Sequence, residues 1–321
     1  MKSLKVNFIG NFGVGYVGET ADEVILAREL TDLGHKVVKV PRDQWRDICN
    51  GVKPNKDWVL PKVADINIVA KWDGFNGGIY INKLREVSGA PVFYWTWDWM
   101  QWPDIPRWHL EVALAADVHL TNEGGQLDIM KKAGVNAYYF PFDVADGELP
   151  IFNSYQKKYD VTFFGSCIDQ GDRKKWLPII AKKCDLTVFG WNHTGWQELG
   201  LKAYPPVYGD DFRKKLAQSK ITLQFSTCDH IWGYWSNRVG KVLSAGGFLL
   251  ARYSPGMELF LRDGVDYFSS PDEAIEKIQF YLRNVPARLS VQMKGKELGE
   301  LFTTKQRIKE LVIFIERYLY E

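Results

Sequence analysis

The chain has 321 residues, 46% hydrophobic and 25% charged, enough apolar mass for a sizeable core and, at roughly 100–200 residues per domain, for about two domains. Forty-one basic residues against thirty-nine acidic ones give a formal charge of +2, which argues neither for nor against a polyanionic partner. Cys49, Cys167, Cys184 and Cys228 lie far apart with no C-x-x-C spacing, so neither a zinc site nor a disulfide framework is suggested; without a secretory leader or a bilayer-length apolar run, a soluble cytoplasmic protein is expected.

The first half alternates strands and helices. "KVNFIGN" reads as a strand, "ADEVILARELTDLG" as a helix ended by Gly34, and "HKVVKVP" as a second strand stopped by a proline. Further strands are expected at "INIVAK", "APVFYWTW", "DVHLTN" and "AYYFPF", with helices at "GGIYINKLREVSG", "IPRWHLEVALAA" and "EGGQLDIMKKAG" between them. Short apolar runs separated by helices imply a parallel sheet covered on both faces. Residues 143–158, polar and without period, read as a linker. The alternation then restarts at "YDVTFFGS" and runs through "DLTVFGW", "ITLQFS", "FLLARY" and "VDYFSS", with helices between them. The expectation is an α/β protein of two Rossmann-like doubly wound domains, residues 1–145 and 158–303. The last segment, 304–321, is an amphipathic helix with Ile308, Leu311, Val312, Ile315 and Leu319 at helical spacing, expected to dock back on the body, toward the first domain.

Three features carry chemistry. "GNFGVGYVGE" places Gly13, Gly15 and Gly18 in G-x-G-x-x-G spacing after a strand and before a helix, where glycines let a backbone approach a phosphate. A dinucleotide site also wants an acidic residue at the end of the second strand, and Val40 and Pro41 stand there, with Asp43 three residues late. NAD binding, a tight turn alone, and contact with the phosphate or sugar of another donor all stay open. "FYWTWDWMQW" sets Asp98 just past an apolar strand, between Trp97 and Trp99. Indole faces stack on sugar rings as readily as they fill cores, and Asp98 suits a sugar hydroxyl or its proton. His109 reads as an ordinary helix residue. The second half offers loops after its strands, where open α/β sheets place ligands: "FFGSCIDQGDRKKW", "FGWNHTGW" and "YPPVYGDDF".

Residues 208–283, from "YGDDFRKKLAQSKITLQFS" through "SNRVGKVLSAGGFLLARYSPGMELFLRDG" to "YLRN", resemble the C-terminal domain of CgeB-like, spore-maturation-protein-like group-1 glycosyltransferases, which have the GT-B fold. The first half is similar more loosely, through its glycine loop, "WTWDWM" and "KKAGVNAYYFPF". The resemblance implies two facing domains, a nucleotide-sugar donor such as UDP-glucose held mainly by the second, an acceptor in the cleft toward the first, and retention at the transferred sugar; with no D-x-D triad in either half to hold a metal against a diphosphate, no metal or other cofactor is expected. It implies catalytic roles for Asp98, Arg238 and Lys241. Donor binding would involve Gly13, Gly15, Gly165, Ser166, Arg173, Gly190, Trp191, Pro206, Tyr208, Asn237, Gly246, Gly247 and Glu258, with Trp97 and Trp99 toward the acceptor. The acceptor class stays open among a polysaccharide, a small molecule, a protein and modified DNA.

One departure bears on activity. Many group-1 enzymes have two glutamates eight positions apart, and here Gly233 and Lys241 occupy those places. A lysine accepts no hydrogen bonds from ribose; Glu258 and Asp229 are the substitutes. Two other readings therefore stand beside the transferase: a non-catalytic nucleotide- or carbohydrate-binding homologue, and an NAD-dependent dehydrogenase.

Overall fold

The computed structural model describes residues 2–12, 21–72, 77–97, 105–141, 155–169 and 171–321. The first unit comprises Met1–Phe142 and Thr304–Glu321, the second Asp143–Thr303.

In the first unit the apolar runs form β1 (Lys5–Gly10), β2 (Lys36–Pro41), β3 (Ile66–Ala70), β4 (Val92–Thr96), β5 (Val118–Thr121) and β6 (Ala137–Tyr139). The helices between them are α1 (Asp22–Asp32), α2 (Arg42–Cys49), α3 (Gly77–Ser88), α4 (Arg107–Ala115) and α5 (Leu127–Lys132). Every residue of β3, β4 and β5 is buried, as a strand covered on both faces must be. The described strands form one parallel sheet in the order β2-β1-β3-β4-β5-β6. One face packs Trp45, Trp72, Tyr80, Leu84, Val112 and Met130, each fully buried large side chain contributing roughly 1.5–3 kcal/mol.

The second unit holds β7 (Tyr159–Phe164), α6 (Arg173–Ala181), β8 (Leu186–Phe189), α7 (His193–Glu198), β9 (Lys202–Tyr204), α8 (Gly209–Ala217) and β10 (Ser219–Gln224). It continues with α9 (Arg238–Ser244), β11 (Leu249–Arg252), α10 (Met257–Leu261), β12 (Asp266–Phe268), α11 (Pro271–Arg283) and α12 (Val285–Gly299). Its described strands are parallel in the order β12-β11-β10-β7-β8-β9. Phe163, Trp176, Trp196, Phe225 and Phe268 fill one core cluster, and Val239, Leu243, Leu249, Met257 and Leu261 another. The closing helix α13 (Thr304–Tyr320) belongs to the first unit. It buries Ile308, Leu311, Val312 and Ile315 and sets Phe314 and Tyr318 against Phe93, with ring centroids 5.9 and 5.2 Å apart.

The two Rossmann-like sheets expected from the sequence are thus present. The strand order reverses between β1 and β3 in the first and between β7 and β10 in the second. At such switch points flanking loops diverge to opposite faces and open a crevice beyond the carboxyl ends of the strands.

Four elements have no counterpart in the sequence reading: α2, α7, β9 and α12. The reason is clearest for α12. Asn284 caps it by accepting from the Ala287 N–H at 3.1 Å, but the residues it buries are Arg288, Gln292, Gly295 and Gly299 rather than an apolar stripe. A Cβ on Gly299 would stand 2.5 Å from the Leu243 carbonyl carbon, and one on Gly295 2.5 Å from the Gly264 oxygen. Glycine lets α12 meet α9 backbone to backbone, so no hydrophobic period announces it. At its other end α9 closes in a Schellman turn. Gly246, at φ +69°, donates to Leu243 O at 2.8 Å, and Gly247 to Val242 O at 2.8 Å.

The first unit also buries three neutral histidines. The Tyr94 hydroxyl gives its one proton to the Trp72 carbonyl at 3.1 Å, which leaves its oxygen to accept from His109 Nδ1 at 2.9 Å. His119 Nδ1 donates to the Tyr94 carbonyl at 3.2 Å, and the Leu4 N–H donates to His35 Nδ1 at 3.2 Å. His109, read as an ordinary helix residue, is a buried residue of α4. Burial lowers all three pKa values, that of His119 to about 4. Between pH 6.5 and about 4 the unfolded chain takes up protons that the folded one refuses, so stability is complete above 6.5 and falls as pH drops. For His119 the expected slope within that window is about 1.4 kcal/mol per pH unit, and the lowered His35 and His109 act in the same direction. Urea midpoints measured from pH 7.5 to 5 check this; a flat profile would contradict it.

Candidate anion-binding site

Because every described strand of the second sheet is parallel, the loops that follow them share one edge. Gly165 and Ser166 follow β7, Gly190 and Trp191 follow β8, Pro206 and Tyr208 follow β9, Asn237 ends the connection from β10, and Glu258 lies beyond β11. Two glycines let the first loops close up. A Cβ on Gly190 would fall 1.9 Å from the Gly165 oxygen, and one on Gly165 would fall 2.6 Å from the Phe163 ring. The Gly165 N–H donates to Phe189 O at 2.9 Å, the Cys167 N–H to Trp191 O at 3.0 Å, and Trp196 Nε1 to Gly165 O at 3.0 Å. Trp191 Nε1 bonds the Tyr208 hydroxyl.

The loops after β7 and β10 meet at the switch. Gly171, at φ +67°, leaves room for the Ser226 and Thr227 carbonyls, which a Cβ would approach to 2.8 and 3.2 Å. Arg252 ties the same two loops. Its guanidinium pairs with Asp172 at 3.0 Å and Asp229 at 2.6 Å while lying 3.7 Å from the Trp176 ring centre. The Asp229 oxygen nearest Arg252 is thus committed to holding the frame.

On this frame sit two cations. Arg173, the first residue of α6, is 4% exposed, and its Nη2 is 3.5 Å from Thr227 Oγ1 while its Nε has no hydrogen-bond partner. Arg238, the first residue of α9, is partly buried and donates from Nη1 to Gln224 Oε1 at 3.1 Å. Neither pairs with a carboxylate among the described residues, although Arg252 beside them pairs with two. Burial lowers the Arg173 pKa; burial and then repulsion from Arg173 lower that of Arg238 to about 9, and the Tyr234 phenol opposes the shift in both. Both stay charged at neutral pH, so the edge holds two mutually repelling cations with no carboxylate partner among the described residues. Burying charge without compensation is costly. An arrangement that tolerates it is a candidate site for an anion that arrives from outside.

The other residues singled out from the sequence fall in different places. Lys241 lies one turn into α9, partly buried. Gly246 and Gly247 form the Schellman turn at the far end of α9 from Arg238. Exposed Glu258 lies against Tyr253, whose phenol is raised by burial first and then by that carboxylate. In the first unit, Trp97 is 3% exposed, packs edge-on against Trp95 at 5.3 Å and carries the Lys71 ammonium 4.8 Å from its ring centre. Gly13, Gly15, Gly18, Asp98 and Trp99 lie outside the described residues. The sequence reading missed Gln224 and Ser226, both buried with an unpartnered polar atom. In the sequence they stand only as a glutamine and a serine at the end of "ITLQFS", a segment otherwise written for a core.

Two parallel Rossmann-like sheets in one chain, each with its switch point, make this a GT-B fold. The family described as glycosyl transferase-like matches residues 173–312, which takes in α6, the switch-point loops and α9. A search of curated proteins finds no match. Among solved structures, an alpha-glucosyltransferase in complex with UDP-glucose and DNA containing an abasic site superposes with a TM-score of 0.70 at 12% identity, covering 98% of this chain and 100% of that one. A glycosyltransferase from Rickettsia africae ESF-5 gives 0.68 at 10%, covering all of both chains. Anabaena Alr3699/HepE, in complex with UDP and glucose, gives 0.66 at 10%, covering 98% and 100%. At these identities the likeness is one of fold.

If Arg173 is held ready for an anion, Arg173→Met leaves the thermal midpoint of the free protein unchanged or raised, because an uncompensated buried charge is removed. Pyrophosphate at 100 times its dissociation constant stabilises the wild type by about 2.7 kcal/mol and fails to stabilise the variant. Equal stabilisation of both proteins in a melting assay would contradict the site.

Proposed function

We propose that this protein is a glycosyltransferase that moves a sugar from a nucleoside-diphosphate donor, UDP-glucose first among candidates, to an acceptor hydroxyl, and that it falls in the CgeB-like group its second half resembles. The observation that carries this reading is the pair of guanidiniums, Arg173 and Arg238, that stand at the β7/β10 switch with no carboxylate partner among the described residues. The glycosyl transferase-like match over residues 173–312 and the GT-B neighbours solved with UDP-glucose, or with UDP and glucose, support it.

In the transfer the bond from the sugar's anomeric carbon to the diphosphate oxygen breaks. Its electron pair leaves with the nucleoside diphosphate, the acceptor oxygen bonds the same carbon, and the hydroxyl proton is lost. The barrier falls when charge growing on the leaving oxygen meets cations already in place. Arg173 and Arg238 hold the diphosphate, and Arg238 with Lys241 offsets the growing charge in place of a metal ion. Asp98 is the candidate for the acceptor proton, and the transfer retains configuration. The loops of Gly165, Ser166, Gly190, Trp191, Pro206 and Tyr208 border the nucleotide on the shared edge, with Glu258 as the acceptor of ribose hydrogen bonds where Lys241 offers none. The acceptor is any hydroxyl carrier among a polysaccharide, a small molecule, a protein and modified DNA; the DNA-bound neighbour makes DNA one arm of the test.

Release of UDP from UDP-glucose, measured with an acceptor panel, tests the reading. The wild type is expected to turn over in EDTA, and Arg238→Ala to lose about 100-fold in kcat, the scale of removing one charge-stabilising donor. Unchanged turnover in Arg238→Ala would overturn that role. Donor binding without UDP release would favour the non-catalytic homologue, the alternative that Gly233 and Lys241 raise.

A further inference from the structure

We infer that Gln224 is a direct ligand of the donor diphosphate as well as the prop that aims Arg238, an inference that rests on the donor-binding reading above. Gln224 ends β10 at the switch point and is completely buried. Arg238 Nη1 lies 3.1 Å from its Oε1. A guanidinium has donors and no acceptor, so the contact fixes which way the amide faces: the oxygen is turned to Arg238, and the NH2 group is turned away from it. That Nε2 is buried with no hydrogen-bond partner.

A buried amide donor left empty is rare in folded proteins and calls for a cause. Here it is not alone. Arg173 Nε and Ser226 Oγ are also buried and unpartnered. Arg173 reaches Thr227 at 3.5 Å, next in sequence to Ser226 and three residues beyond Gln224, and it is close enough to Arg238 to repel it. Gln224 Nε2 and Arg173 Nε can only donate, so whatever completes them accepts. The two guanidiniums require it to be negative. A water molecule accepts at most two hydrogen bonds and is neutral, so it brings the cations no counter-charge, whereas a diphosphate offers several anionic oxygens at once. Gln224 thus couples two tasks: its oxygen holds Arg238 against repulsion from Arg173, and its nitrogen takes a phosphate oxygen.

Gln224→Glu and Gln224→Met separate this from a purely structural prop. Glutamate keeps an acceptor for Arg238, so a prop would survive in Gln224→Glu and fail in Gln224→Met. A phosphate ligand gives the opposite order, because glutamate turns the donating face into a second carboxylate oxygen aimed at the anion. With UDP as the calorimetric probe, the expected loss of affinity is about 10-fold for Gln224→Met, one charge-assisted hydrogen bond. For Gln224→Glu it is about 100-fold or more, with like-charge repulsion added. The glutamate variant's deficit should shrink as pH falls through the carboxylate range, since a protonated carboxyl donates. Wild-type affinity in Gln224→Glu, or no pH dependence of its deficit, overturns the inference and leaves the donor site standing. No UDP binding by the wild type overturns the donor reading and this inference together. If either variant fails to fold, a structure of the wild-type protein with UDP decides. Nε2 within about 3.2 Å of a phosphate oxygen supports the contact, and a phosphate elsewhere overturns it.

Discussion

Two guanidiniums that repel each other, on the carboxyl edge of a parallel sheet with no carboxylate between them among the described residues, set the terms for the second unit. Most buried charge in a folded protein is paired, and the contrast with Arg252, which takes both Asp172 and Asp229, shows that acidic partners are at hand. The chain spends those carboxylates on the frame and withholds them from Arg173 and Arg238. The result is a fixed excess of positive charge and of unused N–H donors where the strand order reverses. Held so before a ligand arrives, such charges need no reorganisation when an anion binds or when one develops in a reaction.

Much of the surrounding structure serves to hold that arrangement rigid. The glycine contacts of Gly165, Gly171 and Gly190 bring loops together at distances no side chain would allow. Arg252 links the loop before α6 to the loop after β10, and its stacking on Trp176 anchors the linkage to the core. Behind α9, Gly299 of α12 meets the backbone at Leu243, and Gly295 meets the backbone at Gly264, which helps fix the helix that begins at Arg238. Removing rigidity here would cost binding without touching a single ligand contact, because two like charges relax apart unless the scaffold prevents it.

The central strands and the helices with an apolar stripe were legible from sequence because the middle of each sheet is buried on two faces, which writes strands such as "INIVA" and "VFYWT" as plain apolar runs. What escaped the reading had no such signature. Helix α12 packs through glycines and polar groups, α7 is a short turn capped by Asn192 in a left-handed conformation, and β9 is only Lys202–Tyr204. Of the site, Arg173 and Arg238 were singled out through the family resemblance of the second half, and the structure sets them at the β7/β10 switch. Gln224 was not, because a single glutamine inside an apolar strand gains meaning only once its oxygen is seen on Arg238. Gly246, at φ +69°, and Gly247 form the Schellman turn that ends α9. The glycine fingerprint at residues 13–18 and the Asp98 stretch follow β1 and β4 and lie outside the described residues, so their roles rest on the sequence.

The central claim is that the switch-point cations of the second unit receive a nucleoside diphosphate. Backbone amide NMR of the whole chain titrated with UDP addresses it most directly. The account predicts shifts concentrated at residues 165–173 and 224–238, saturating with one equivalent of nucleotide. Shifts confined to the amino-terminal edge of that sheet, or none at millimolar UDP, would contradict it.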